Sequence, residues 1–128
     1  MLIVMWVAAA VAGILHVLFF CFESLWWTRP AVARRFRNTE QRAQATKALA
    51  FNQGFYNLFL AAGALGGLAL IATGHRGAGM ILVAWNCASM LGAAVVLAAS
   101  SPKMLRGALI QGAPPLVFLL GVVYIRWS

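Results

Sequence analysis

With 128 residues, a mean hydropathy of +0.87 and only 9% of residues charged, the chain lies outside the composition of water-soluble domains and inside that of polytopic membrane proteins. Ten Lys and Arg stand against Glu23 and Glu40, a net charge of +8 that in a soluble protein would raise nucleic acid as a partner. Most of these cations fall in two connections between apolar stretches, so the expected partners are membrane lipids with anionic headgroups, and nucleic acid is excluded.

Four stretches, 2–27, 46–73, 77–99 and 105–126, can each supply the roughly 20 apolar residues of a span. None alternates as barrel strands do, and backbone groups in hydrocarbon must be satisfied within their own segment. The expected fold is therefore all-α, a four-transmembrane-helix bundle that makes residues 1–128 a single membrane domain. The first stretch has no basic residue ahead of its apolar run and ends in Trp26, Trp27 and Arg29 rather than in a small-residue cleavage site, so it reads as a retained helix. Its Ala9, His16 and Glu23 are spaced by seven and share one face.

Residues 28–45 form a basic loop. Pro30 suits the first turn of a short helix, with Ala31, Val32 and Phe36 resting on the membrane and Arg34, Arg35 and Arg37 meeting headgroups. A solvated loop that only sets topology is the plainer alternative. Asn38, with Gln41 three residues later, has the spacing of an N-cap and its capping-box partner. With Lys103 and Arg106 in the third connection, eight cations lie on one side, and only Arg76 and Arg126 on the other. The positive-inside rule then places the loop in the cytoplasm and both termini outside, in a multi-pass protein of the plasma (inner) membrane.

Helix two opens on FNQGFYN, residues 51–57, where Asn52, Gln53, Tyr56 and Asn57 fall within about 140° of arc at about 100° per residue. Gly63 and Gly67 continue that arc as a pair that lets a neighbouring helix approach, while Phe51, Phe55, Leu58 and Phe59 point elsewhere, toward lipid. Gly74 suits a helix C-cap. In helix three Gly79, Asn86, Ala93 and Ser100 repeat the seven-residue spacing. Trp6, Trp26, Trp27 and Trp127 sit at segment ends as interfacial anchors, whereas Trp85 is in mid-span and is expected to line a polar region. Helix four places Gly107 and Gln111 one turn apart, and Pro114 and Pro115 cannot donate to the carbonyls of Ile110 and Gln111, so a kink is expected there.

Taking about 1.5 Å per residue, His16, Tyr56 and Asn86 lie near mid-bilayer, with Glu23, Asn52, Gln53 and Gln111 between them and the cytoplasm. Together with Asn57 these residues are expected to form a polar pocket in the cytoplasmic half of the bundle. Glu23 carries the most weight, because a carboxylate at the centre of a membrane helix costs about 2.5–3.5 kcal/mol on insertion scales. The plainer alternatives are a Glu23 that reaches interfacial water or pairs with an arginine, a His16 that only packs, and amides that only hold helices together at about 0.6 kcal/mol each. Cys21 and Cys87 differ in depth by about 9 Å, so two free thiols are expected. No Cys and His spacing suggests a metal site, and no cofactor is expected.

The stretches LHVLFFCFESLWW (15–27), KALAFNQGFYNLFLAAG (47–63) and IQGAPPLVFLL (110–120) resemble a bacterial and fungal family of small four-helix membrane proteins catalogued as domain of unknown function 1304. His16, Glu23, Trp27, Asn52, Gln53, Gly54, Tyr56, Asn57, Gln111 and Pro115 match its pattern, and Ser24 departs from the methionine usual after the glutamate. The resemblance implies a fold and a site but no activity.

Three functions fit these features. The first is a binder or transporter of a small molecule or lipid with Glu23 protonation coupled, working as a homodimer through the Gly-rich faces of helices two and three. The second is a structural or assembly subunit of a membrane complex. The third is a membrane enzyme acting on a lipid or quinone, with Glu23 or His16 as general base and the amides as oxyanion donors.

Overall fold

A computed structural model of the chain describes residues 2–128. Among them there is no strand, and four helical segments, Leu2–Leu25, Lys47–Ala72, Arg76–Ser100 and Pro102–Trp127, are long and apolar enough to cross a membrane. The first consists of α1 (Leu2–Phe20) and a closing π turn (Cys21–Leu25). Two short helices follow in the basic connection, α2 (Pro30–Arg35) and α3 (Glu40–Ala45). The remaining spans are α4 (Lys47–Ala72), α5 (Arg76–Ser100) and, after a 3-10 turn at Pro102–Met104, α6 (Leu105–Trp127).

Local chemistry explains where the elements stop. Arg29 is extended (φ −67°, ψ 136°), as a residue before proline must be, and Pro30 opens α2. Two helices end in the same way, with a left-handed residue whose amide and the next close the last turn. At the end of α4 this residue is Gly74 (φ 93°), where Gly74 N–H donates to Ile71 O at 3.2 Å and His75 N–H to Leu70 O at 2.8 Å. At the end of α2 it is Arg37 (φ 55°), with Arg37 N–H donating to Arg34 O at 3.1 Å and Asn38 N–H to Ala33 O at 2.8 Å. A side chain in that region costs about 1–2 kcal/mol, so Arg37 is held against its own preference. Since Asn38 is occupied in closing α2, the cap of α3 passes to the next residue, correcting the expectation of an Asn38 cap. Thr39 Oγ1 accepts the hydrogen bond of Arg42 N–H at 3.2 Å. Helix α6 runs on through Pro114 and Pro115 without interruption.

The four long helices form a ring in the order α1, α4, α5, α6. Each packs on its two neighbours, and α1 barely touches α5 across the diagonal. Toward the termini the core is Met5, Ala8, Ala9, Val83, Cys87 and Phe118, and nearer the middle it is Ala12, Ala64 and Met90. Without water to exclude, helices in lipid gain from close contact, and small residues permit it. A Cβ on Gly67 would stand 2.6 Å from Val83 Cγ2 and 2.9 Å from the carbonyl oxygen of Gly79, so α4 and α5 meet backbone to backbone. Gly63, Gly67 and Gly79 thus serve contacts inside the chain, whereas a Cβ on Gly66, Gly77 or Gly92 would meet nothing within 4 Å.

The packing faces depart from the polar stripes in three places. Helix α4 buries Ala50, Gly54, Ala61, Ala64 and Gly67, and leaves Asn52, Gln53 and Tyr56 exposed. Helix α5 buries Gly79, Val83, Asn86, Cys87, Met90 and Ala94, while Ala93 and Ser100 point outward. Trp85 is 72% exposed on the outer surface and lines no polar region. The smallest side chains choose the interface, since close backbone approach is what stabilises it. Outward-facing Ile3, Ile81 and Leu109, each more than half exposed, make the surface of the ring apolar as a lipid-facing surface is.

The adjacent glycines of α4 provide a test. Gly67→Ala should cost about 1–3 kcal/mol through overpacking and lower the thermal midpoint in detergent micelles. Gly66→Ala, where a Cβ meets nothing within 4 Å, should leave the midpoint unchanged or slightly raised. Equal midpoints for the two variants would contradict the close α4–α5 contact.

Candidate functional site

The π turn places Glu23. Trp26 N–H donates to Cys21 O at 2.9 Å, so the turn holds one residue more than an α-helical turn and Glu23 leaves the register it would share with His16 in a straight helix. The widened turn presses into α4 at Gly54. A Cβ there would overlap Ser24 Oγ and come within 2.9 Å of Ser24 N, so only glycine admits the contact. Ser24 uses it, its hydroxyl donating to Phe51 O at 2.7 Å. One turn along, Asn57 Nδ2 donates to Glu23 Oε2 at 2.6 Å, a short bond of the kind a carboxylate makes. Trp27 closes the junction from the loop side. Its indole N–H donates to Thr46 Oγ1 at 3.1 Å, and its ring packs on Phe36 at 5.0 Å between centroids.

Beside Glu23 lies a cavity of about 470 Å³ between the π turn, the loop and the start of α6. Its apolar wall includes Phe19, Phe36, Leu97, Met104 and Ile110, and Asn57 and Gln111 add amides. Arg35, Arg37, Lys103 and Arg106 also line it, so four cations and one carboxylate share the lining. Between the start of α4, the basic connection and the junction of α5 with α6, a wider cleft of about 1050 Å³ carries Asn52, Gln53 and Tyr56 together with Asn38, Arg42 and Ser101. Glu23, Phe36, Arg37 and Lys103 line both spaces and form the wall between them.

The eight polar residues singled out in the sequence thus divide into three groups. Glu23, Asn57 and Gln111 meet at the cavity, where Gln111 Nε2 also reaches Met90 O at 3.4 Å. Asn52, Gln53 and Tyr56 share the cleft, with Glu23 on its wall. His16 and Asn86 line neither space. His16 is fully buried, packs edge-on against Phe19 at 5.3 Å and donates from Nδ1 to Ala12 O at 2.9 Å, leaving Nε2 with no partner. Asn86 donates to Leu82 O at 2.8 Å, and its amide fills the space beside Gly63. Of the three arginines assigned to headgroups, Arg34 is exposed, Arg35 lies over the Phe22 ring at 5.5 Å and lines the cavity, and Arg37 lines both spaces.

Lys103 and Arg106 stand in the site although the sequence reading used them only to set topology. The signal was available, because two basic connections at one end of a four-helix ring must face each other. No group of three or more His, Cys, Asp or Glu side chains is placed to hold a metal among the described residues.

The Glu23–Asn57 bond can be weighed directly. Asn57→Ala should destabilise the protein by about 1–3 kcal/mol, since it leaves a half-buried carboxylate without its donor. Glu23→Gln, which keeps an acceptor oxygen, should cost less. Thermal unfolding in micelles measures both, and the double variant should fall short of the sum because the two side chains share one interaction.

Residues 10–123 match the family described as protein of unknown function (DUF1304). No curated protein and no solved structure matches the chain. The match runs from within α1 almost to the end of α6 and takes in the π turn, the basic connection and every residue of the cavity, and the chain belongs to that family.

Proposed function

We propose that the protein binds, and carries within the membrane, a small amphipathic anion held in the cavity beside Glu23, with protonation of Glu23 coupled to binding. The observation that supports this reading is the lining itself, which combines an apolar wall with four cations and one carboxylate. Its volume of about 470 Å³ falls inside the range of about 300–1,000 Å³ usual for small-molecule sites. The apolar wall suits an alkyl chain, and the cations suit its charged end.

Glu23 gives the site its coupling. An ionised Glu23 and a bound anion would repel by about 2 kcal/mol at a separation of about 8 Å and an effective dielectric of about 20. A proton on Glu23 removes that repulsion, so anion and proton enter together. We also read the basic end as the cytoplasmic one, by the charge asymmetry of the connections, and the membrane as the plasma (inner) membrane.

The test uses dodecyl methyl phosphate, whose single charge is constant over the working pH range, titrated calorimetrically into protein in a neutral detergent. The affinity of the wild type should fall about tenfold to thirtyfold as Glu23 ionises with rising pH, in line with that repulsion. Glu23→Gln should keep the low-pH affinity throughout. If no saturable binding occurs at any pH, the reading fails and the assembly-subunit function takes its place, to be sought as a partner lost when the protein is deleted.

A further inference from the structure

The cleft between the start of α4 and the α5–α6 junction holds polar side chains with no hydrogen bond among the described residues. Among the neighbouring side chains, Thr46 donates to Arg42 O, Ser100 to Val96 O and Asn57 to Glu23. The side chains of Asn52, Gln53 and Tyr56 make no such bond among the described residues, and Tyr56 is 62% exposed. They stand five, six and nine residues into α4, about 8 to 14 Å along its axis from Lys47. With Lys47 taken at the headgroup surface, that depth spans the headgroup layer and the first part of the hydrocarbon, where a polar group without a partner is costly. A ligand that carries hydrogen-bonding groups to that depth would satisfy them.

Three further features specify the occupant. Arg37, Arg42 and Lys103 line the same cleft, so it accepts negative charge. The wall shared with the cavity contains Arg37, whose left-handed backbone is fixed by the bonds that close α2. Beyond that wall lies the cavity, where Phe19, Leu97, Met104 and Ile110 form an apolar face beside Arg35, Arg106, Asn57 and Gln111. Charge at the wall, hydrogen-bonding groups on one side and a cavity with an apolar face on the other match the layout of a phospholipid.

Building on the proposed binding of an amphipathic anion, we infer that cavity and cleft are two halves of one site for a lipid whose phosphodiester bears a hydroxylated headgroup. The phosphate sits at Arg37 and Lys103, the hydroxyls reach Asn52, Gln53 and Tyr56, and an acyl chain enters the cavity. The FNQGFYN stretch then divides its work, Gly54 and Asn57 facing α1 and Asn52, Gln53 and Tyr56 facing the headgroup.

Two single-chain lipids of equal charge and chain length test this, lysophosphatidylglycerol and lysophosphatidylmethanol, which lacks the two hydroxyls of the headgroup glycerol. Each is titrated into the protein in a neutral detergent, with free glycerol phosphate as a competitor. The glycerol lipid should bind about tenfold tighter. Gln53→Ala with Tyr56→Phe should abolish that preference while leaving the methanol lipid unaffected, and Arg37→Gln should weaken both. Equal binding of the two lipids would overturn this inference alone, whereas binding of neither would overturn the reading on which it rests. Displacement by glycerol phosphate at comparable concentration would show a site for a soluble phosphate, and protection of Tyr56 by a second copy of the chain, unchanged by lipid, would show a protein interface. Either result would overturn the lipid assignment.

Discussion

Gly54 has no Cβ, and the Ser24 hydroxyl of the π turn stands where one would be, with the Ser24 backbone nitrogen 2.9 Å from that point. From that contact much of the site follows. Ser24 can reach the Phe51 carbonyl, Asn57 can reach Glu23, and Trp27 can leave the turn in position to bond Thr46 and pack on Phe36. A larger residue at position 54 would move α1 away from α4 at this end and separate Glu23 from its partner. Small residues hold helices close throughout the bundle, but here the approach also places a carboxylate.

The second organising feature is charge. The cations that bias the chain toward one orientation also surround the cavity, because α1 to α4 and α5 to α6 are joined at the same end of the ring. Four of them share with Glu23 the lining of a cavity that also includes Phe19, Leu97 and Ile110. A cation near lipid headgroups loses little solvation, whereas a carboxylate half buried beside Asn57 loses more. The basic end is therefore the part of this molecule where an anion could be held by side chains already in place. The rest of the bundle is packed from alanine, glycine, methionine and valine, and its interior polar side chains, His16 and Asn86, bond mainly to their own helix.

Helix α4 shows how much of the site could be read beforehand. Its span, its end at Gly74 and the proximity of Gly63 and Gly67 to a neighbour follow from hydropathy and residue size. Its orientation does not. A helical wheel ranks faces by polarity and turns Asn52, Gln53 and Tyr56 inward, but in lipid the stabilising contact is close backbone approach, and the face that offers it is Ala50, Gly54, Ala61, Ala64 and Gly67. The same reasoning fails at Glu23, because seven-residue spacing assumes an unbroken α-helix and a π turn leaves no mark in hydropathy.

The sequence by itself determined the number of spans, their approximate limits, the end at which positive charge gathers and the family, since each depends on local composition or on a contiguous motif. Only the tertiary structure decided which polar residues meet. It parted His16 and Asn86 from the rest, joined Glu23 to Asn57, and brought Arg35, Arg37, Lys103 and Arg106 around one cavity. Those outcomes depend on the rotation of each helix about its axis and on the path of the connection between α1 and α4. Both are set by contacts between residues far apart in the chain, where packing of small side chains outweighs the pattern of polar ones.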